Sequence, residues 1–241
     1  MGFYKKPLIV LGGNFIYHRY MREKVLEKYA KKSEKPAEYE MALNKEKLEA
    51  IGELEKYPFL FNDDKVNVLM IIAGLKPATF MSFPGGQKEF QDAIDSLTKN
   101  LDIFNLPYKI TVEVDYLEEG GEKHPIEWTT VYVGKNEEAL GKLFEMLQGD
   151  TVGDRSSGLA LGIPETAIEA FVNKEIMLVE DLPEEIQNSD EIKFLSFKLS
   201  RQYWREELGV ARQRMKVTKK LAPDLYKQII GKSLTTSSGG F

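Results

Sequence analysis

Apolar and polar residues along this chain alternate in two periods, and the switch from one to the other lays out its elements. In "YKITVEVDY", Ile110, Val112, Val114 and Tyr116 alternate with Thr111, Glu113 and Asp115, which predicts a half-buried strand. "PIEWTTVYVG" supplies its partner, and "LEEGGEKH" between them reads as a long polar hairpin loop. "PLIVL" (Pro7–Leu11) and "ATFMSF" read as two further buried strands, and "EIMLVED" as one more.

The helical period takes over between them. From Asn14 to about Lys32, residues Phe15, Tyr20, Met21, Val25, Leu26 and Tyr29 share one broad face. "SEKP" ends that run. A second helix, from about Ala37 to Glu55, carries Met41, Leu48, Ile51 and Leu54, and the two read as an antiparallel pair. "NDDKVNVLMIIAGLKP" predicts a short buried helix with Asp63 or Asp64 as N-cap and Gly74 with Pro77 as its stop. Pro84-Gly85-Gly86 turns the chain into a helix from about Gln87 to Asn100, with Phe90, Ile94 and Leu97 inward. Asn136 caps another, which buries Ala139, Leu140, Leu143, Phe144 and Leu147.

From Ala78 to Val179 the order is strand, helix, strand, strand, helix, strand. That is the split βαβ of ferredoxin-like folds, with residues 150–173 inserted before the last strand. Helices at about Ser200–Lys220 and from Pro223 to Ile230 follow, then the polar tail "SLTTSSGGF", expected to be disordered. The predicted class is α+β: a small mixed or antiparallel sheet packed by helices. Segments 1–62 (strand and helical pair), 63–199 (α+β core), 200–232 (C-terminal helices) and 233–241 (tail) are expected to form one compact unit.

Composition narrows the chemistry. The chain has 241 residues, 42% hydrophobic and 29% charged, enough for a sizeable core. Its charge rests mainly on Lys and Glu, and it has no cysteine, a balance associated with thermophiles. Without cysteine there is no thiolate nucleophile, disulfide or Cys-based zinc site. No run approaches the ~18 apolar residues of a membrane span. "PLIVL" is too short for a signal peptide, so a cytoplasmic protein without membrane contact is expected.

Candidate chemistry is sparse. "LGGN" (Leu11–Asn14) and "FPGGQ" (Phe83–Gln87) are glycine turns before helices, where a phosphate could rest, but neither has the full dinucleotide fingerprint or a P-loop lysine. The two histidines, His18 and His124, lack metal or triad spacing. Glu113 and Asp115, with Glu127 opposite, could hold a divalent cation, although polar alternation is what a one-sided sheet requires anyway. Asp154, Arg155, Ser156 and Ser157 form a candidate pocket. No base accompanies the serines. No cofactor is expected.

Charge is unevenly spread. Between Arg201 and Lys232 stand nine Lys/Arg and three acids, in a chain of net charge −5. Arg201, Arg205, Arg212, Arg214, Lys216, Lys219 and Lys220, interleaved with Tyr203, Trp204 and Tyr226, form a candidate nucleic-acid-binding stretch. The same helix could instead dock on the acidic remainder of its own chain.

"GLALGIPETAIEAF" resembles a motif of an archaeal family classed as domain of unknown function number 483, whose members often read G-x-x-L-G-Y-P-x-C-C-V-x-x-F. Gly158, Leu161, Gly162, Pro164, Ile168 and Phe171 match that frame, and "VYVG" (Val131–Gly134) precedes it. "FLSFKLSRQYWREELGVA" (Phe194–Ala211) resembles the family's downstream segment, which leads into a long helix. The resemblance implies an archaeal source and a shared fold, and no particular activity. Thr166 and Ala167 stand where the family has adjacent cysteines, and Ile163 where Tyr is usual, so thiol chemistry does not carry over. Read from its residues, the stretch is a Pro164-started helix with Ala167, Ile168, Phe171 and Val172 on one face. The leading expectation is a non-catalytic binding or assembly module, with a protein partner or a second copy. Nucleic-acid association and an enzyme acting on a phosphorylated ligand are the alternatives.

Overall fold

A computed structural model describes residues 43–119, 122–148 and 154–231. The expected strand Pro7–Leu11, the helix from Asn14, the Gly12-Gly13 turn, His18 and the tail from 233 lie outside the described residues. The chain divides into two compact units between Glu40 and Met41. Every described residue belongs to the second, which holds segments 63–199 and 200–232 together.

The start of the second expected helix, from Ala37 with Met41, lies outside the described residues. Asn44 caps the first described helix. Its side chain accepts the Lys47 N–H at 2.9 Å, and α1 runs Lys45–Lys56 with Ala50, Ile51 and Leu54 buried. Leu48, expected in that stripe, is exposed, because it lies almost opposite Ala50 around the helix. Helix α2 (Asn62–Ile72) is buried from Lys65 to Ile71. Its N-cap is Phe61, not Asp63 or Asp64; both acids stand in the first turn, where they still favour the positive end of the helix dipole. Gly74, at φ 70°, closes the helix as expected.

The sheet follows the split βαβ for three strands. β1 (Ala78–Pro84), helix α3 (Lys88–Ile103), β2 (Tyr108–Glu119) and β3 (Glu122–Gly134) give the order β1-β3-β2, with β3 antiparallel to both neighbours. The hairpin is longer than expected. Leu117–Glu119 pair with Glu122–His124, so only the two glycines separate the strands, and the polar "loop" is mostly ladder. Gly-Gly between strand-forming runs is itself a two-residue turn signal.

Each face of the sheet has its own cover. Ala78 and Tyr132 pack with Leu140 and Leu143 of helix α4 (Glu137–Gln148), joined by Phe144, Leu147 and Leu161. Asn136 caps α4 as expected, accepting the Ala139 N–H at 2.9 Å. On the opposite face Met81, Phe83, Val131 and Val133 are equally buried, and α2 packs on β1. Asn100 is buried among apolar residues of α1–α3, and among the described residues neither atom of its amide has a hydrogen-bond partner. It borders a cavity of about 10 Å³, room for one water.

The expected fourth strand does not join this sheet. "EIMLVED" yields only β4 (Ile176–Met177), which pairs with β5 (Leu199–Ser200) as a separate two-stranded sheet. The apolar residues around it serve a second core of Leu182, Ile192, Leu199, Trp204 and Leu208. Before β4 lie helices α5 (Asp154–Ala160) and α6 (Glu165–Val172); after it come the short α7 (Glu184–Gln187), α8 (Trp204–Leu221) and α9 (Pro223–Gly231). The fold is α+β.

α8 lies across α2, and α9 packs on α8 and α1. The buried Glu55 carboxylate of α1 accepts the Asp224 and Leu225 N–H groups at 2.9 and 3.1 Å, so a distant residue caps the last helix.

Candidate functional site

Among the described residues the outer edge of β2 carries no neighbouring strand. Hydrogen-bonded pairs alternate along an antiparallel ladder, so one bond fixes the phase of a whole strand. The Gly134 N–H donates to the Pro107 carbonyl at 3.0 Å, directly before the pair Tyr108–Val133. Lys109, Thr111, Glu113 and Asp115 therefore turn their backbone groups toward β3. Tyr108, Ile110, Val112, Val114 and Tyr116 turn theirs outward. The Tyr116 N–H confirms this, being bonded at 2.8 Å to the exposed side chain of Asp115. Among the described residues no strand lies beyond β2.

The outward-bonding residues also carry the apolar row. Ile110, Val112, Val114 and Tyr116 are 41%, 59%, 56% and 61% exposed. The alternation was expected to mark a buried face; instead the covered part of the sheet stops at β3. Edge strands are usually blunted by a bulge, an internal proline or brevity. β2 pairs with β3 without interruption over twelve residues and contains no proline or glycine.

On the opposite face, Ser82, Glu113, Asp115, Trp128 and Thr130 line an open depression. The Ser82 and Thr130 hydroxyls are 2.8 Å apart and hydrogen-bonded to each other. The cation site imagined for Glu113, Asp115 and Glu127 is not assembled: Glu127 pairs with Val114 and so stands on the other face of the sheet. Among the described residues no group of three or more His, Asp or Glu side chains could hold a metal ion. His124 lies in β3, paired with Leu117. In "FPGGQ" the Gly85 N–H extends the ladder to the Glu127 carbonyl, and a Cβ on Gly85 would meet the Glu127 side chain at 2.6 Å. These glycines serve a tight turn.

The stretch from Asp154 to Phe171 forms a helical hairpin rather than a pocket. α5 ends in a Schellman turn: the Ile163 N–H reaches the Gly158 carbonyl at 2.8 Å, the Gly162 N–H reaches that of Leu159, and Gly162 sits at φ 74°. A Cβ on Gly158 would meet Ile168, and one on Gly162 would meet Pro77, each at 2.6 Å. Arg155, an expected pocket residue, is exposed and pairs with Glu165 and Glu169 of α6. Ser156 is exposed and Ser157 half-buried; α5 begins at Asp154. Of the expected apolar face, Ala167 and Ile168 are buried, whereas Phe171 and Val172 are exposed where α6 ends. Thr166 donates its hydroxyl to Glu207 at 2.7 Å. Glu207, only 2% exposed, accepts the Ser200 N–H with its other oxygen at 2.7 Å, clasping α6, β5 and α8 together.

Five basic residues of α8, Arg205, Arg212, Lys216, Lys219 and Lys220, lie exposed within about 100° around the helix, and Arg214 stands opposite them. Arg214 is 3% exposed and donates to Asn67 at 2.8 Å and to Asp63, which removes it from any solvent-facing set. Arg212 forks onto Glu191, Arg201 donates to the Ile176 carbonyl, Arg205 stacks on Trp204, and Lys219 lies over Tyr226. All six of the other candidates, Arg201, Arg205, Arg212, Lys216, Lys219 and Lys220, are exposed. The aromatics are engaged too: Trp204 is in the second core, and Tyr226 stacks on Phe194.

Around Arg214 the electrostatics are strained. Lys76 donates to the Leu161 carbonyl at 2.6 Å, and burial, with Arg214 nearby, pushes its ammonium down to about 8. Burial, with Asp63 beside it, pushes the Asp64 carboxyl up to about 6. Among the described residues the buried Arg214 Nε has no acceptor. This network joins α2, α8 and the α5–α6 turn. It was not legible in the sequence, because pairs 147 and 151 residues apart leave no local signal.

No protein-family model, no curated protein and no solved structure matches this chain. Among the described residues no helix is long and apolar enough to cross a membrane.

Proposed function

We propose that this chain is a non-catalytic binding or assembly protein that works through the outer edge of β2. One observation carries the reading: an unbulged edge strand presents backbone groups that no described strand pairs, and an exposed apolar row from the same residues. That is what strand addition uses, with main-chain bonds supplying affinity and alternate side chains selectivity. The likeness of residues 158–171 to a family without an assigned activity is compatible with this and adds no chemistry of its own.

The test is a titration of labelled nine-residue peptides, alternating Val, Ile or Tyr with Thr, Lys or Asp, against the whole protein. Saturable binding that Val112→Pro abolishes is expected, since that substitution removes an outward N–H and leaves the β3 ladder intact. Absence of binding across the panel, with β2 amides exchanging as slowly as those of β3, would show the edge already covered and end the reading.

A further inference from the structure

The edge of β2 is complementary to itself. We infer that its occupant is β2 of a second copy, paired antiparallel about a two-fold axis through Val112; this rests on the edge-binding reading above. A two-fold axis perpendicular to the sheet joins residues whose numbers share a constant sum, and it keeps like faces on one side. With Val112 on the axis, Val112 meets Val112 of the second copy, Ile110 meets Val114, and Tyr108 meets Tyr116. All of these are outward-bonding residues, so the N–H and C=O groups of the two strands face one another, with the Tyr116 N–H exchanging its bond to Asp115 for the Tyr108 carbonyl of the second copy.

The other face of the sheet fits at the same register. Lys109 comes opposite Asp115 of the second copy, and Asp115 opposite its Lys109. Lys109 is already fixed there, its ammonium 3.2 Å from the centre of the Phe144 ring. Thr111 comes opposite Glu113. Moving the axis to Val114 would put Asp115 against Glu113 and Lys109 against Glu119, and it would leave Ile110 opposite Glu118. The register through Val112 pairs apolar with apolar on one face and, on the other, Lys109 with Asp115 twice and Thr111 with Glu113 twice, with no like charges opposed. The result is a continuous six-stranded sheet with the apolar rows of both copies side by side.

Sedimentation equilibrium of the full chain tests this, with Val112→Pro, Lys109→Glu and Asp115→Lys alongside. A concentration-dependent dimer is expected. Val112→Pro abolishes it, and each charge variant alone weakens it by about tenfold, because two attractions become two repulsions. Mixing the two charge variants restores a heterodimer, since both lines then read Glu opposite Lys or Lys opposite Asp. Circular dichroism of each variant confirms that the fold is kept, as all three positions lie on the open edge or an exposed face. A wild-type chain that stays monomeric overturns self-pairing; if the peptides still bind, edge binding survives without it. A dimer indifferent to Val112→Pro overturns edge pairing, and one that mixing fails to restore overturns the register.

Discussion

Replacing Glu207 separates a buried hydrogen-bond clasp from a buried charge. Its two oxygens accept the Ser200 N–H and the Thr166 hydroxyl, both at 2.7 Å. Glutamine can keep both contacts. Its carbonyl takes the Ser200 N–H, and its amide donates to the Thr166 oxygen once that hydroxyl rotates. What is lost is the charge assistance, partly offset by relief of burying a carboxylate, so Glu207→Gln should cost about 1 kcal/mol. Leucine keeps the volume and orphans both donors, at about 1–3 kcal/mol each, so Glu207→Leu should cost about 3–4 kcal/mol. Adding Thr166→Val to Glu207→Leu should then cost less than the sum of the single changes, because the orphaned hydroxyl is gone. Urea unfolding reads this directly, as a midpoint shift with unchanged slope. If Glu207→Leu is as stable as Glu207→Gln, the clasp contributes nothing to stability.

Three further substitutions have expected signs. Asn100→Leu should stabilise the protein by about 1–2 kcal/mol in urea, since an unpartnered buried amide gives way to an apolar group of similar shape; a loss of stability would mean the amide is bonded. Gly162→Ala should cost about 2 kcal/mol in thermal unfolding, from positive φ and contact with Pro77, and an unchanged midpoint would refute the Schellman turn. Asp64, raised to about 6 in the folded state, binds its proton more tightly there than in the unfolded chain, so its contribution falls as pH rises from about 4 to 6. Asp64→Asn should therefore match wild type near pH 4 and exceed it by about 1–2 kcal/mol at pH 7, and a gap constant across that range would contradict the burial of Asp64.

Local signals were the readable ones. The Asn136 cap, the Gly74 stop, the Pro223 helix start and the alternation of β2 and β3 each depend on neighbours within a few residues, and each matches the structure. Three strands of the split βαβ could be read for the same reason. The fourth could not, since "EIMLVED" looks the same whether it joins the sheet or, as here, supplies a separate core around Leu182 and Trp204. Alternation shows that β2 has two unlike faces, and says nothing of whether a helix covers either. Ile110, Val112, Val114 and Tyr116 were expected inside on that pattern, and the structure leaves them exposed. Arg214 misled in the opposite direction: counted among surface charges, it is held inside by Asp63 and Asn67.

The capping of α9 by Glu55 has a consequence for how the chain is made. The carboxylate is synthesised 169 residues before the Asp224 N–H that it binds. Until that second segment leaves the ribosome, Glu55 has neither of these backbone partners, and burying it as α1 packs would strand a charge. The α1 end of this unit therefore closes late, after the hairpin and α4 have had time to form from near neighbours. Pausing synthesis before residue 223 should leave α1 accessible to a protease while β2 and β3 are already protected.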